Sequence, residues 1–141
     1  MGLPEANYSL GINQIEHGQM INYMFKGINE ILSKGNFDGV LVYGDTNTTL
    51  AGSLSAQKYN LPIFHVESGL RSFDRLMIEE NNRIIVDHIS SLLFCPTIRA
   101  VKNLEKENLK NGVKLSGDVM YDAFIKFGKI TNHKFNYKSP F

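Results

Sequence analysis

Short apolar runs alternate with stretches of helical spacing along most of this chain. Each run is rich in β-branched or aromatic residues and ends at a turn residue, as is typical of strands buried in a parallel sheet. The runs are Val40–Tyr43, Leu61–Val66, Leu92–Cys95 and Val113–Leu115. Because helical stretches separate all four, the pattern predicts an α/β fold: a parallel sheet with helices on both faces.

The helices are predicted from apolar residues spaced three and four apart. The first spans Gln14 to Lys34, is stopped by Gly35, and has an apolar face of Ile21, Met24, Phe25, Ile28, Ile31 and Leu32. A second strong helix spans Ile78 to Ser91, with an apolar face of Ile78, Ile85, Ile89 and Leu92. The last helix carries Met120, Ala123, Phe124 and Phe127, and the tail from about residue 129 is expected to be irregular.

The first two apolar runs and the helix between them form the centre of the pattern. Gly44 ends the first run, and the hydroxyl and amide residues 46–49 can cap the helix that follows. A right-handed crossover makes the two strands parallel, so Asp45 and Glu67 should lie side by side at the carboxyl edge of the sheet. Open α/β sheets bind ligands at that edge. A helix cap remains an equal interpretation of Asp45, whereas Glu67, beside Ser-Gly, favours a functional role.

Composition narrows the class of protein without naming a function. The 141 residues are 43% apolar with a net charge of +1, which gives no reason to expect nucleic acid or an anionic membrane as a partner. No apolar run approaches the roughly 20 residues that span a bilayer. The single cysteine, Cys95, excludes an internal disulfide, is expected to lie in the core, and favours a cytosolic setting.

Other polar residues offer weaker signals, each with an ordinary structural alternative. Glu79 and Arg83 lie four apart on the second strong helix and could form a surface ion pair, or they could serve a site. Arg71 and Arg75 precede that helix in a loop, where arginines are commonly solvated but also suit a phosphate or carboxylate. The histidines, including His65, are too scattered to predict a metal site. The sequence has neither a Walker motif nor a Gly-x-Gly-x-x-Gly fingerprint.

Four segments resemble the non-hydrolysing UDP-N-acetylglucosamine 2-epimerases in order and spacing. They are Gly44–Thr48, His65–Asp74, Glu79–Arg83 and Gly117–Asp122, within a similarity that runs from about Tyr8 to Phe127. The sequence of residues 71–75, Arg-Ser-Phe-Asp-Arg, also resembles the branch of this family that acts on UDP-2,3-diacetamido-glucuronate. The resemblance implies a UDP-sugar substrate but leaves the sugar open.

The resemblance also implies an architecture and a chemistry. The family has two Rossmann-like domains of glycosyltransferase-B type, eliminates UDP from the sugar, adds it back with carbon 2 inverted, and needs no nicotinamide cofactor. Carried over by motif, Asp45, Glu67 and Glu79 match its catalytic carboxylates. Residues matching its substrate-binding segments are Arg71, Arg83, Thr46 and His65.

The chain also departs from the family pattern. Ile78 stands where the family usually has proline, which suits a first helical position. The family's first strand, its Gly-Thr-Arg-Pro-Glu loop and its second domain have no counterpart, so residues 1–141 are expected to be part of an N-terminal domain and inactive alone. Alternative interpretations are a non-catalytic sugar-nucleotide-binding remnant and a relative of the hydrolysing enzymes. Expected partners are a second copy, as in a family homodimer, or a separately encoded remaining half.

Overall fold

A computed structural model describes residues 4–12 and 16–134 of the chain. Nine elements alternate along these ranges: α1 (His17–Lys34), β1 (Val40–Tyr43), α2 (Asn47–Lys58), β2 (Ile63–Val66), α3 (Ile78–Ile89), β3 (Leu92–Cys95), α4 (Ile98–Lys106), β4 (Val113–Leu115) and α5 (Val119–Lys134). No helix of the described ranges is both long and apolar enough to cross a bilayer.

The four strands form one parallel sheet in the order β1-β2-β3-β4. The predicted α/β class and the parallel sheet are therefore confirmed. Val42 lies opposite His65, and Tyr43 lies opposite Val66, so β1 and β2 end at the same level. That register places the residues after both strands at one edge of the sheet.

The core lies on one face of this sheet. Three right-handed crossovers in one direction put α2, α3 and α4 on the same side, and α1 packs against α2. The core side chains from the strands all belong to that face: Val40, Val42, Ile63, Leu93, Cys95 and Val113. On the opposite face Leu41 and Tyr43 are 49% and 59% exposed, and Phe64, Val66, Leu92 and Phe94 are half-buried. Helices on that second face, which the alternation predicted, are not found among residues 4–12 and 16–134.

The helix predictions are correct in position and partly wrong in detail. The apolar face predicted for α1 is buried or half-buried, although residues 13–15, where the predicted start falls, lie outside the described ranges. On α3, Ile78 and Ile85 are exposed, and the buried side chains are those of Glu80, Asn82, Val86 and Asp87. Polar groups can occupy this buried face because partners elsewhere in the fold satisfy them.

The chain beyond β4 also differs from expectation. The helix α5 continues to Lys134, so the prediction of an irregular tail from about residue 129 is wrong for residues 129–134. Residues 135–141 lie outside the described ranges. The apolar side chains Met120, Phe124 and Phe127 of α5 are exposed, and among the described residues α5 makes no extensive contact with another element.

Candidate active site at the carboxyl edge of the sheet

Two carboxylates follow neighbouring strands at this edge, as predicted. Asp45 comes two residues after the end of β1, and Glu67 comes directly after β2. The Gly44 N–H donates to the carbonyl of Val66 at 3.1 Å. The hydrogen bonds between β1 and β2 therefore extend to the residues directly before Asp45 and Glu67. The Glu67 carboxylate bends back toward β1, where its Oε2 lies 3.6 Å from the position of a Cβ built on Gly44.

The Glu67 side chain is half-buried and has no hydrogen bond or ion pair with any described residue. Its backbone has a φ of 71°, in the left-handed region that non-glycine residues seldom adopt. Such conformations cost of order 1–3 kcal/mol and cluster at functional sites. An unpaired acid on a strained backbone is consistent with a group that is held for chemistry.

Arg83 links the side chain of Asp45 to helix α3. One of its terminal nitrogens, Nη2, donates to Oδ2 of Asp45, and the other, Nη1, donates to Oε2 of Glu80 at 2.5 Å. The side chain of Asn82 donates to the backbone carbonyl of Asp45 at 3.0 Å. Asp45 is thus fixed from α3 through both its side chain and its main chain.

The two adjacent acids of α3 have different environments. Glu80 is 1% exposed, and its two oxygens accept from the backbone N–H groups of Ser72 and Phe73, each at 3.0 Å. Burial by itself would raise the pKa of Glu80, but these donors and Arg83 outweigh it and lower the pKa. Glu79 is exposed and has no side-chain partner among the described residues, so the sequence-based suggestion of a Glu79–Arg83 ion pair is wrong.

Three of the four residues predicted to bind substrate, His65, Arg71 and Thr46, have hydrogen-bonding partners within the chain, and Arg71 also contributes to the lining of the cleft beside Arg83. His65 has no exposed surface, and its two ring nitrogens contact Asp87 and the carbonyl of Gly44. The side chain of Arg71 is 1% exposed and forms ion pairs with Asp87 and Glu107. Burial by itself would lower the pKa of Arg71, but the two carboxylates outweigh it and raise the pKa, which keeps the guanidinium charged.

Thr46 is the N-cap of α2, because its hydroxyl accepts from the N–H of Thr49. The capping role predicted for residues 46–49 is therefore confirmed for Thr46. The helix α3 begins at Ile78 without the usual proline, and Met77 at its N-cap makes no side-chain capping bond. Cys95 is buried in the core as predicted, and burial raises the pKa of its thiol.

A cleft of about 300 Å³ opens beside Arg83, between the loop after β2 and the start of α4. Arg83, Arg99 and Thr97 contribute to its lining, and Arg99 is exposed and has no partner in the part of the chain that the structure describes. Across residues 4–12 and 16–134, no cluster of three or more metal-ligating side chains is found. The cleft therefore offers positive charge to an anionic group rather than carboxylates to a cation.

Three residues that hold the site together were not predicted from the sequence: Asn82, Asp87 and Glu107. Their importance depends on partners 16 to 37 positions away in the chain, which no local motif marks. The sequence held no signal for Asp87, because at 100° per residue it lies on the side of the helix opposite the predicted apolar face. A buried polar residue at such a position needs partners, but the sequence does not say which.

Comparisons with known proteins give one consistent result. A family model described as UDP-N-acetylglucosamine 2-epimerase matches residues 1–140. A "UDP-N-acetylglucosamine 2-epimerase homolog" of Methanococcus maripaludis is 50% identical over 96% of this chain, which spans 38% of that relative. The UDP-2,3-diacetamido-2,3-dideoxy-D-glucuronate 2-epimerase of Pseudomonas aeruginosa is 46% identical over 92% of this chain and 37% of its own length.

A solved structure shares the fold at similar identity. The UDP-GlcNAc 2-epimerase of Methanocaldococcus jannaschii, in complex with UDP-GlcNAc and UDP, superposes with a TM-score of 0.89 at 45% identity. The match covers 92% of this chain and 36% of that one. The chain thus corresponds to between a third and two fifths of its relatives.

Proposed function

Because the chain belongs to the UDP-N-acetylglucosamine 2-epimerase family, we propose that it carries the acid-bearing part of an active site that inverts carbon 2 of UDP-N-acetylglucosamine. The observation that carries the proposal is the pairing of Asp45 and Glu67 at one sheet edge, with Arg83 bound to Asp45. The product would be UDP-N-acetylmannosamine.

The proposed reaction requires two things from the protein. A proton must leave carbon 2 and return on the other face, and the negative charge that develops on departing UDP must be stabilised. Glu67 and Glu79 have unpaired carboxylates that are free to contact a sugar, whereas the Asp45 carboxylate is oriented by Arg83. We therefore assign proton transfer to these three acids and leave its division among them to kinetics.

The residues that we propose bind substrate differ from those predicted from the sequence. Arg83 keeps a role next to the reacting sugar, and Arg99 joins it as a free cation in the same cleft. The partners of His65 and Arg71 support positioning roles for both residues, and those of Thr46 support a cap. A cleft of about 300 Å³ is at the low end of small-molecule sites, so it accommodates a sugar-sized group rather than a whole nucleotide sugar.

The rest of the substrate requires protein beyond these residues. The chain spans 36–38% of the M. jannaschii and M. maripaludis relatives. We propose that a second Rossmann-like domain, in the same polypeptide or encoded separately, supplies the uridine contacts and that the complete unit is a homodimer. The proposed setting is the cytoplasm, where activated sugars are made for surface polysaccharides.

UDP-2,3-diacetamido-glucuronate is the second candidate substrate. The 46% identity to the P. aeruginosa enzyme supports it, and so does Arg99, because an unpaired guanidinium suits the carboxylate that distinguishes a uronate from N-acetylglucosamine. Binding measurements on the Arg99→Gln variant distinguish the two candidate substrates. This change should weaken binding of the uronate strongly and binding of UDP-N-acetylglucosamine little.

Titration of the ¹⁵N-labelled chain with UDP-N-acetylglucosamine, followed by NMR, tests the proposal. We expect amide signals of residues 44–46, 67–73 and 79–83 to shift with saturation, and Arg83→Gln to weaken the response. Lys26→Gln, at an exposed position of α1, is the matched control and should leave it unchanged. Saturable shifts confined to other parts of the chain, or none at millimolar ligand, would contradict the proposed site.

A further inference from the structure

Asp87 is a buried junction that the proposed chemistry does not use directly. It has no exposed surface and accepts three hydrogen bonds from residues outside its own helix. Its Oδ1 lies 2.7 Å from Nδ1 of His65, and its Oδ2 accepts from Nη1 of Arg71 at 2.7 Å and from the Gly69 N–H at 3.1 Å. The contacts with His65 and Gly69 connect Asp87 to the turns that carry Asp45 and Glu67.

The first route reaches the turn that carries Asp45. The other ring nitrogen of His65, Nε2, lies 2.8 Å from the carbonyl oxygen of Gly44. A carbonyl oxygen only accepts hydrogen bonds, so this contact requires the ring proton to be on Nε2. The rigid ring therefore joins Asp87 to the residue immediately before Asp45.

The second route reaches the turn that carries Glu67. Asp87 accepts from the N–H of Gly69, while the side chain of Asn103 donates to the Gly69 carbonyl at 3.0 Å from α4. Both Glu67 and Gly69 have positive φ, at 71° and 76°. A segment in sparsely populated conformations persists only where its surroundings fix it, and these two hydrogen bonds supply that constraint.

Sheet pairing by itself does not fix how the two turns face each other. The last ladder bond between β1 and β2 is that of Gly44 to Val66, and both acids lie at or beyond it. Arg71 stabilises the junction, because its guanidinium offsets the buried charge of Asp87 and is itself held by Glu107. Proton transfer depends on positions held to within about 0.5 Å, so a common anchor for both turns matters.

We propose that Asp87 is a positioning residue, which sets the mutual placement of the Asp45 and Glu67 carboxylates through His65 and Gly69. The inference rests on the proposed function for the importance of those two acids. The geometric coupling itself can be measured without any substrate.

Two variants and a control test the coupling in the apo chain by NMR, with ¹³C carboxylate and amide signals as the readout. Asp87→Ala should shift the signals of residues 44–46 and 67–69 together. Asp87→Asn should restore both sets, because its amide can accept from Gly69 and donate to Nδ1 of His65. Asp38→Ala removes an exposed aspartate just before β1 and should move neither turn.

Either turn unmoved in a folded Asp87→Ala chain would overturn the proposal. So would an Asp87→Asn chain that shifts both turns as far as alanine does. If Asp87→Ala does not fold, His65→Ala decides, because it cuts only the route to Gly44: shifts larger at 44–46 than at 68–69 support the proposal, and the reverse order refutes it. Failure of the wild-type chain to bind a UDP-sugar would refute the proposed function while leaving this result intact.

Discussion

Glu67 illustrates a conflict between stability and function at the scale of one residue. A left-handed conformation costs an L-residue about 1–2 kcal/mol, which glycine avoids because it has no Cβ. We therefore expect the free energy of unfolding of Glu67→Gly to exceed that of Glu67→Ala by about 1 kcal/mol. In urea unfolding, the glycine variant should have the higher midpoint concentration. Equal stabilities would show that the backbone at this position is not strained, and would remove one reason for assigning Glu67 to the site.

Glu80 should make stability depend on acid pH. Its pKa is lower in the folded chain than the ordinary value of 4.5, so its contribution is present above that value and is lost as pH falls through the lowered pKa. Wild-type chain should therefore lose free energy of unfolding below about pH 4.5 more steeply than Glu80→Gln. The measurement is urea unfolding across pH 2–7, with the exposed Glu30→Gln as control. Parallel curves for wild type and Glu80→Gln would contradict the assignment.

Residue roles were predictable only as far as local sequence determines them. The strand-end positions of Asp45 and Glu67 follow from the β-α-β pattern, and the structure has them there. The partners of Arg71 could not be predicted, because Asp87 and Glu107 lie 16 and 36 positions away and meet it only in the folded chain. Which of two adjacent acids on α3 is buried was equally undetermined, since helix orientation is set by tertiary packing.

At the scale of elements, the turn after β2 depends on a close approach of backbones. Gly69 has a φ of +76°, and a Cβ there would lie 2.5 Å from the carbonyl oxygen of Ala100 in α4. We expect Gly69→Ala to cost more than about 1 kcal/mol and to displace the Glu67 turn. Gly128→Ala on α5, where a Cβ meets nothing within 4 Å, is the control, and circular dichroism during urea unfolding is the measurement. A Gly69→Ala chain as stable as that control would refute the close approach.

The positions of the helices and strands were largely predictable, because each has a regular spacing of apolar residues and ends at a turn residue. Every predicted strand is present, and β2 begins at Ile63 rather than Leu61 because Pro62 cannot donate a ladder hydrogen bond. The buried face of α3 was mispredicted because hydrophobic periodicity assumes that buried residues are apolar. On this helix Glu80, Asn82 and Asp87 are buried through hydrogen bonds and ion pairs.

At the scale of the whole molecule, we expect the 141-residue chain to show no epimerase activity alone. The cleft beside Arg83, at about 300 Å³, has room for only part of a nucleotide sugar, and in the proposed function a second domain closes over the sugar to exclude water. The measurement is exchange of the carbon-2 proton of UDP-N-acetylglucosamine in heavy water, followed by NMR. The full-length M. jannaschii relative provides the positive control, and exchange by this chain at a comparable rate would overturn the prediction.

The free edge of β1 has a consequence for the dynamics of individual amides. Val40 and Gly44 donate toward β2, so in a parallel pair the N–H groups of Leu41 and Tyr43 point the other way, where no strand lies among the described residues. These two amides should exchange with deuterium much faster than that of Val42 between them. A polypeptide that added a strand at this edge would slow exchange at those two amides, so hydrogen-exchange protection there would report directly on strand addition.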